Sequence, residues 1–108
     1  MLFTGATASV KGSSGFSAFA GGKHALRALA QSMAKELMPH NIHVAHVVID
    51  GPINTEWTIE RFPKLVEERP NDGLLQPEDI AETYWAIYRQ KRSAWTFEID
   101  VRPWVEPW

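Results

Sequence analysis

Residues 42–49, Ile-His-Val-Ala-His-Val-Val-Ile, form an almost unbroken apolar run rich in β-branched side chains. A half-exposed strand alternates apolar with polar residues, so a run of this kind suits a strand covered on both faces, as in a parallel sheet. Before it, Phe19, Leu26, Leu29, Ala30, Met33, Ala34 and Leu37 recur at helical spacing from Phe16 onward, and Pro39 ends the pattern. Met1 to Thr4 reads as the tail of a buried strand that breaks at Gly5. A loop then runs from Ala8 to Gly15, with Gly12-Ser13-Ser14-Gly15 as the turn into the helix. A helix between two such strands is a βαβ unit, and the chain is therefore read as α/β.

The rest of the chain extends this pattern. Asp50-Gly51-Pro52 stops the second strand, and Ile53 to Leu75 is a mixed segment broken by Pro63, Pro70 and Asn71-Asp72-Gly73. Short helices are expected around Glu56–Arg61 and Lys64–Arg69. Pro77 opens a second clear helix, with Glu78 and Asp79 complementing its positive end and Arg89, Lys91 and Arg92 its negative end. From Trp95 to Val101 the residues alternate, with Trp95, Phe97, Ile99 and Val101 on one face and Thr96, Glu98 and Asp100 on the other. The prolines at 103 and 107 keep the tail out of any regular ladder. The reading is three strands at about 1–4, 42–49 and 95–101, with main helices at about 16–38 and 77–90.

At 108 residues the chain makes one small domain, burying roughly two-thirds of the surface its unfolded form exposes. It has no cysteine, so it has neither disulfides nor thiolate metal sites and suits a reducing cytoplasm. A net charge of -2 provides no basic footprint, which argues against a nucleic-acid partner. With 44% hydrophobic and 22% charged residues, neither disorder nor membrane spanning is expected. The start, Met1-Leu2-Phe3-Thr4-Gly5, lacks the charged leader and long apolar region of a signal peptide.

Phe19 and Lys23 lie four residues apart and share a helix face. This pair, Gly5-Ala6-Thr7 before it and Asp50-Gly51-Pro52-Ile53-Asn54-Thr55 after it resemble the C-terminal half of a short-chain dehydrogenase/reductase, over essentially the whole chain. The resemblance implies half of a Rossmann-like parallel sheet, NAD or NADP as cofactor, and hydride transfer between a small alcohol and its carbonyl. It places Phe19 where that family has the proton-donating tyrosine of Tyr-x-x-x-Lys. Counting back from Phe19 puts the family's active-site serine at Ala6, and Thr7 reaches the same point if the turn shifts by one residue. Lys23 matches the lysine that binds the nicotinamide ribose. Gly51, Ile53 and Thr55 match the Pro-Gly-x-x-x-Thr segment that touches the nicotinamide amide, with Asp50 in place of its leading proline. The Gly-rich turn that holds the pyrophosphate lies in the family's first half and has no counterpart here.

Carbonyl reduction needs a proton delivered to the developing alkoxide, and a positioned general acid contributes roughly 10²- to 10⁴-fold. Phenylalanine cannot donate one. Among Ser14, Ser17, His24 and Asp50, none has both the position and the chemistry to replace it. The chain is thus expected to be inactive alone, as a single partial domain (1–108) lacking the dinucleotide-binding half, or as a frame truncated upstream of Met1. The alternative is a non-catalytic binding or oligomerisation module derived from the same family. A homo-oligomer is expected, or a separate chain supplying the first half. His40, His43 and His46 are read as structural or solvated, with no metal, because His43 and His46 point to opposite strand faces. Tyr84 and Tyr88 are read as core and interface, and the tryptophans of the last strand and tail as subunit contacts.

Overall fold

The computed structural model describes residues 1–108. The chain runs β1 (Leu2–Ala6), a 3₁₀ turn (Thr7–Ser9), α1 (Ser17–Leu37), β2 (Ala45–Ile49), α2 (Glu56–Arg61), α3 (Pro63–Glu68), α4 (Pro77–Tyr88) and β3 (Glu98–Val101). The sheet order is β1-β2-β3 with both pairs parallel, Leu2 facing Ala45 and His46 facing Glu98. The apolar run becomes the central strand, and every residue from Val44 to Asp50 is buried. No helix is long and apolar enough to cross a membrane.

Side chains alternate across β2 and divide the core in two. Ala45, Val47 and Ile49 pack with Leu75 and Ile87, joined by Ile80 and Tyr84 of α4. On the other face His46 lies fully buried on the α1 side, and α1 buries only alanines there, at 20, 30 and 34. Such small residues let a helix approach a sheet closely.

All three strands differ from the sequence reading at a boundary: β2 begins at Ala45 rather than Ile42, which lies exposed ahead of it. β1 continues through Gly5 to Ala6, so Gly5 is a packing position rather than a break. A Cβ there would lie 2.3 Å from His46 Nε2 and 2.7 Å from Ser9 Oγ, space that no other residue leaves free. At the other end, β3 begins at Glu98 rather than Trp95. The backbone N–H of Thr96 is taken by the Gln90 side chain at 2.8 Å, and the Trp95 indole donates to the Gln90 carbonyl at 3.3 Å. A glutamine at the end of α4 thus competes with the ladder for this segment. The alternation also divides differently, since Glu98 is partly covered from α1 while Ile99 is exposed.

The histidines hold structural posts. His43 stacks on Trp95 with ring centroids 4.7 Å apart and bonds the Thr96 carbonyl at 2.7 Å. His46 Nδ1 meets Glu98 at 3.0 Å, and no three metal-ligating side chains gather anywhere in the chain. Tyr84 packs against the core and its hydroxyl bonds Thr4 Oγ1 at 2.7 Å. Tyr88 instead lies exposed and stacked on Trp85, 5.3 Å between centroids.

Candidate active site

A cleft lies at the C-terminal ends of β1 and β2, the place where open α/β sheets put their ligands. Its volume is about 540 Å³. Ala6 comes from the end of β1, Phe19 and Lys23 from the first two turns of α1, and Gly51, Ile53 and Thr55 from the segment after β2. All six residues singled out from the sequence therefore line one space. Trp57 of α2, Leu65 of α3 and Phe62 between the two helices form an apolar roof.

Lys23 Nζ donates to the Thr4 carbonyl at 3.0 Å and lies 6.0 Å from the centre of the Phe19 ring. An ammonium has three protons to donate, so two remain for a ligand. The Phe19 ring is half exposed beside it and brings no dissociable proton. Ala6 is equally inert, and its backbone N–H is satisfied by Ser9 Oγ at 3.0 Å. The hydroxyls in the cleft are Thr4, Thr55 and Thr58. Thr4 is engaged with Tyr84, while Thr55 Oγ1 accepts from the Thr58 N–H at 3.2 Å, capping α2, and pairs with Thr58 Oγ1 at 3.0 Å.

The groups weighed as substitutes lie elsewhere. Ser14, Ser17, His24 and Asp50 are absent from the cleft lining. His24 turns back to bond the Ala20 carbonyl at 2.8 Å, and Asp50 faces Thr7 and Arg102. Thr7, the other position considered for the serine, also stays outside the cleft, with its hydroxyl given to Asp50 Oδ1 at 2.6 Å.

The segment after β2 is held rigidly at its base. Ile53 forms a parallel bridge with Leu75, in which the Leu75 N–H bonds Pro52 and the Asn54 N–H bonds the Leu75 carbonyl. That pattern uses the groups flanking Ile53 and leaves its own N–H and C=O turned from Leu75 without a backbone partner. A donor and an acceptor on a cleft-lining residue are what a primary amide needs. Gly51 has φ of 145°, and a Cβ there would meet Pro103 at 2.8 Å. Only glycine fits both demands.

Some features escaped the sequence reading. The roof residues sit in a segment without periodicity, and the one local signal is Thr55 placed ahead of Glu56 as a helix cap. Behind the cleft, Arg27 of α1 grips both oxygens of Glu98 at 2.7 and 2.8 Å, and Glu98 also meets the buried His46. Arg27's bonds hold the Glu98 carboxyl below its ordinary value, burial opposes them and His46 adds to them. Arg27 and Glu98 stand 71 residues apart in the chain, beyond any periodic pattern.

The profile of the enoyl-(acyl carrier protein) reductase family matches residues 1–99. A short-chain dehydrogenase from Rhodopseudomonas palustris is 47% identical, with a TM-score of 0.69 over 95% of this chain. The chain spans 37% of that protein's length. The closed form of a serine dehydrogenase complexed with NADP+ shares the fold, at a TM-score of 0.80, 18% identity and coverage of 99% of this chain and 45% of its own. A search of curated proteins finds no significant match. With a cleft at the strand ends, the Phe19/Lys23 helix face and a family profile across nearly all its residues, the chain belongs to the short-chain dehydrogenase/reductase family.

Proposed function

We propose that the cleft is the nicotinamide and substrate end of an NAD(P)-dependent oxidoreductase site. The observation that carries this reading is the meeting of Lys23, Ile53, Thr55 and Gly51 around one space of about 540 Å³. The nicotinamide cofactor supplies a hydride donor or acceptor when bound. The residues fit its nicotinamide end: Lys23 keeps two protons for ribose hydroxyls, and Ile53 offers an unpartnered N–H and C=O to the carboxamide. For the pyrophosphate the chain offers nothing comparable, since the Gly-rich turn of the family's first half is not encoded in these residues. The reading therefore concerns the nicotinamide end of the site alone.

The chain's own residues then act as follows. Lys23 orients and holds the ribose. Trp57, Phe62 and Leu65 give the cleft an apolar wall that favours an apolar substrate. Phe19 and Ala6 occupy the places of the family's tyrosine and serine and deliver no proton, so this half alone does not complete carbonyl reduction. Their apolar character also favours a second reading, a binding or oligomerisation module of the same descent.

Nicotinamide mononucleotide and adenosine monophosphate distinguish the halves of the cofactor. Titrated into the labelled protein and followed by amide NMR, the nicotinamide mononucleotide is expected to shift Lys23, Ile53 and Thr55 with a millimolar Kd, and the adenosine monophosphate to shift nothing in the cleft. Equal responses to both, or none at these residues, overturn the reading.

A further inference from the structure

The roof of the cleft is poorly anchored by its own burial. The segment from Asn54 to Leu74 leaves and rejoins the body at one neck, where Ile53 bridges Leu75 and the Asn54 amide donates to Gln76 at 3.0 Å. Beyond that neck α3 buries no side chain fully, and Trp57, Ile59 and Phe62 lie exposed. A helical pair held at one end opens readily unless something holds the other.

The C-terminal tail supplies that second hold. Arg69, at the end of α3, places a guanidinium nitrogen 2.8 Å from Glu106 Oε2, with both side chains more than four-fifths buried. Two residues on, the Asn71 carbonyl accepts the Trp104 indole N–H at 3.2 Å. The tail reaches the cleft rim as well. Glu106 Oε2 lies 3.3 Å, and Pro103 2.8 Å, from where a Cβ on Gly51 would stand. That oxygen makes no aligned hydrogen bond, so its hold on Arg69 is ionic. An ion pair sheltered from water is screened far less than a surface one.

We propose that residues 102–108 form a strap that holds the α2–α3 roof over the cleft, and that Glu106 is the positioning residue that ties roof to rim. The roof's opening equilibrium is then set from the tail, without a change in any residue that lines the cleft. Because this concerns the roof and not what lies under it, it stands apart from the choice of ligand.

Hydrogen exchange on the full chain without ligand tests it. In Glu106→Gln the amides of residues 56–69 are expected to exchange at least tenfold faster while those of β2 keep their rates. Glu106→Asp is expected to restore most of the protection, and the paired swap Arg69→Glu with Glu106→Arg to restore part of it. Unchanged exchange at 56–69 in Glu106→Gln, or an equal rise in β2 and the roof, overturns the strap. Nicotinamide mononucleotide binding is a separate measurement, so its failure leaves this result standing.

Discussion

Thr7 donates its hydroxyl to Asp50 across the ends of β1 and β2, 2.6 Å from Oγ1 to Oδ1. Thr7 follows the end of β1 and Asp50 the end of β2, and they satisfy each other. Asp50 is buried and its second oxygen meets Arg102 at 3.1 Å. Arg102 in turn bonds Asp100 and lies over the Trp108 ring, 4.2 Å from its centre. A hydroxyl and a guanidinium thus converge on this buried carboxylate.

Thr7→Val keeps the volume of the side chain and removes the donor. Leaving a buried carboxylate oxygen one hydrogen bond short costs about 2 kcal/mol. Chemical denaturation is expected to show that loss with the slope of the transition unchanged. Ser in place of Thr7 is expected to retain most of the stability, since the hydroxyl survives.

Gly5→Ala tests the close approach of β1 to the layer beneath it. The added methyl would fall 2.3 Å from His46 Nε2 and 2.7 Å from Ser9 Oγ, both fully buried. Neither side chain has free space into which to move, so the overpacking is expected to cost about 3 kcal/mol. In an His46→Ala background the same substitution should cost much less. Thermal melts of the four variants in the cycle measure the coupling, and additive losses would place the clash elsewhere.

The Arg27–Glu98–His46 cluster sets a pH dependence. Arg27's bidentate hydrogen bonds lower the Glu98 pKa from its ordinary 4.5. A carboxyl with a depressed folded-state pKa stabilises the fold above its unfolded value, and that contribution fades as pH falls through the folded value. Stability is therefore expected to decline below about pH 4.5, and Glu98→Gln to remove that part of the slope. Melting curves from neutral pH downward check this, and parallel curves for the two proteins would exclude Glu98 as a source.

Local patterns carried much of this architecture. The apolar run at 42–49, the helical spacing from Phe16 and Pro77 at a helix start all express backbone geometry within a few residues. The positions from Ala6 to Thr55 were named by the resemblance to the short-chain dehydrogenase/reductases, and spacing alone joined only Phe19 and Lys23 on one helix face. Gly5 was misread because glycine marks both breaks and close approaches, and only His46 and Ser9, brought together in space, decide which. The start of β3 was misread because Gln90 takes backbone groups that alternation alone assigns to a ladder. The roof and the Arg69–Glu106 tie depend on contacts between distant residues with no periodic trace.

Phe19→Tyr asks whether the α1 face tunes a phenol. Lys23 Nζ lies 6.0 Å from the centre of the ring at 19, and the ring is half exposed. An ammonium at this range favours the phenolate, while solvent weakens the effect. The introduced phenol is therefore expected to titrate below the ordinary tyrosine value of about 10. Lys23→Ala in the same background is expected to return it to that value. The two native tyrosines, Tyr84 and Tyr88, are subtracted by titrating the parent chain in parallel. Ultraviolet absorbance of the phenolate reads the result without cofactor or substrate, so it tests the electrostatics of the site apart from catalysis. An introduced phenol that titrates alike with and without Lys23 would show that this helix face does not tune a phenol, and would favour the non-catalytic module.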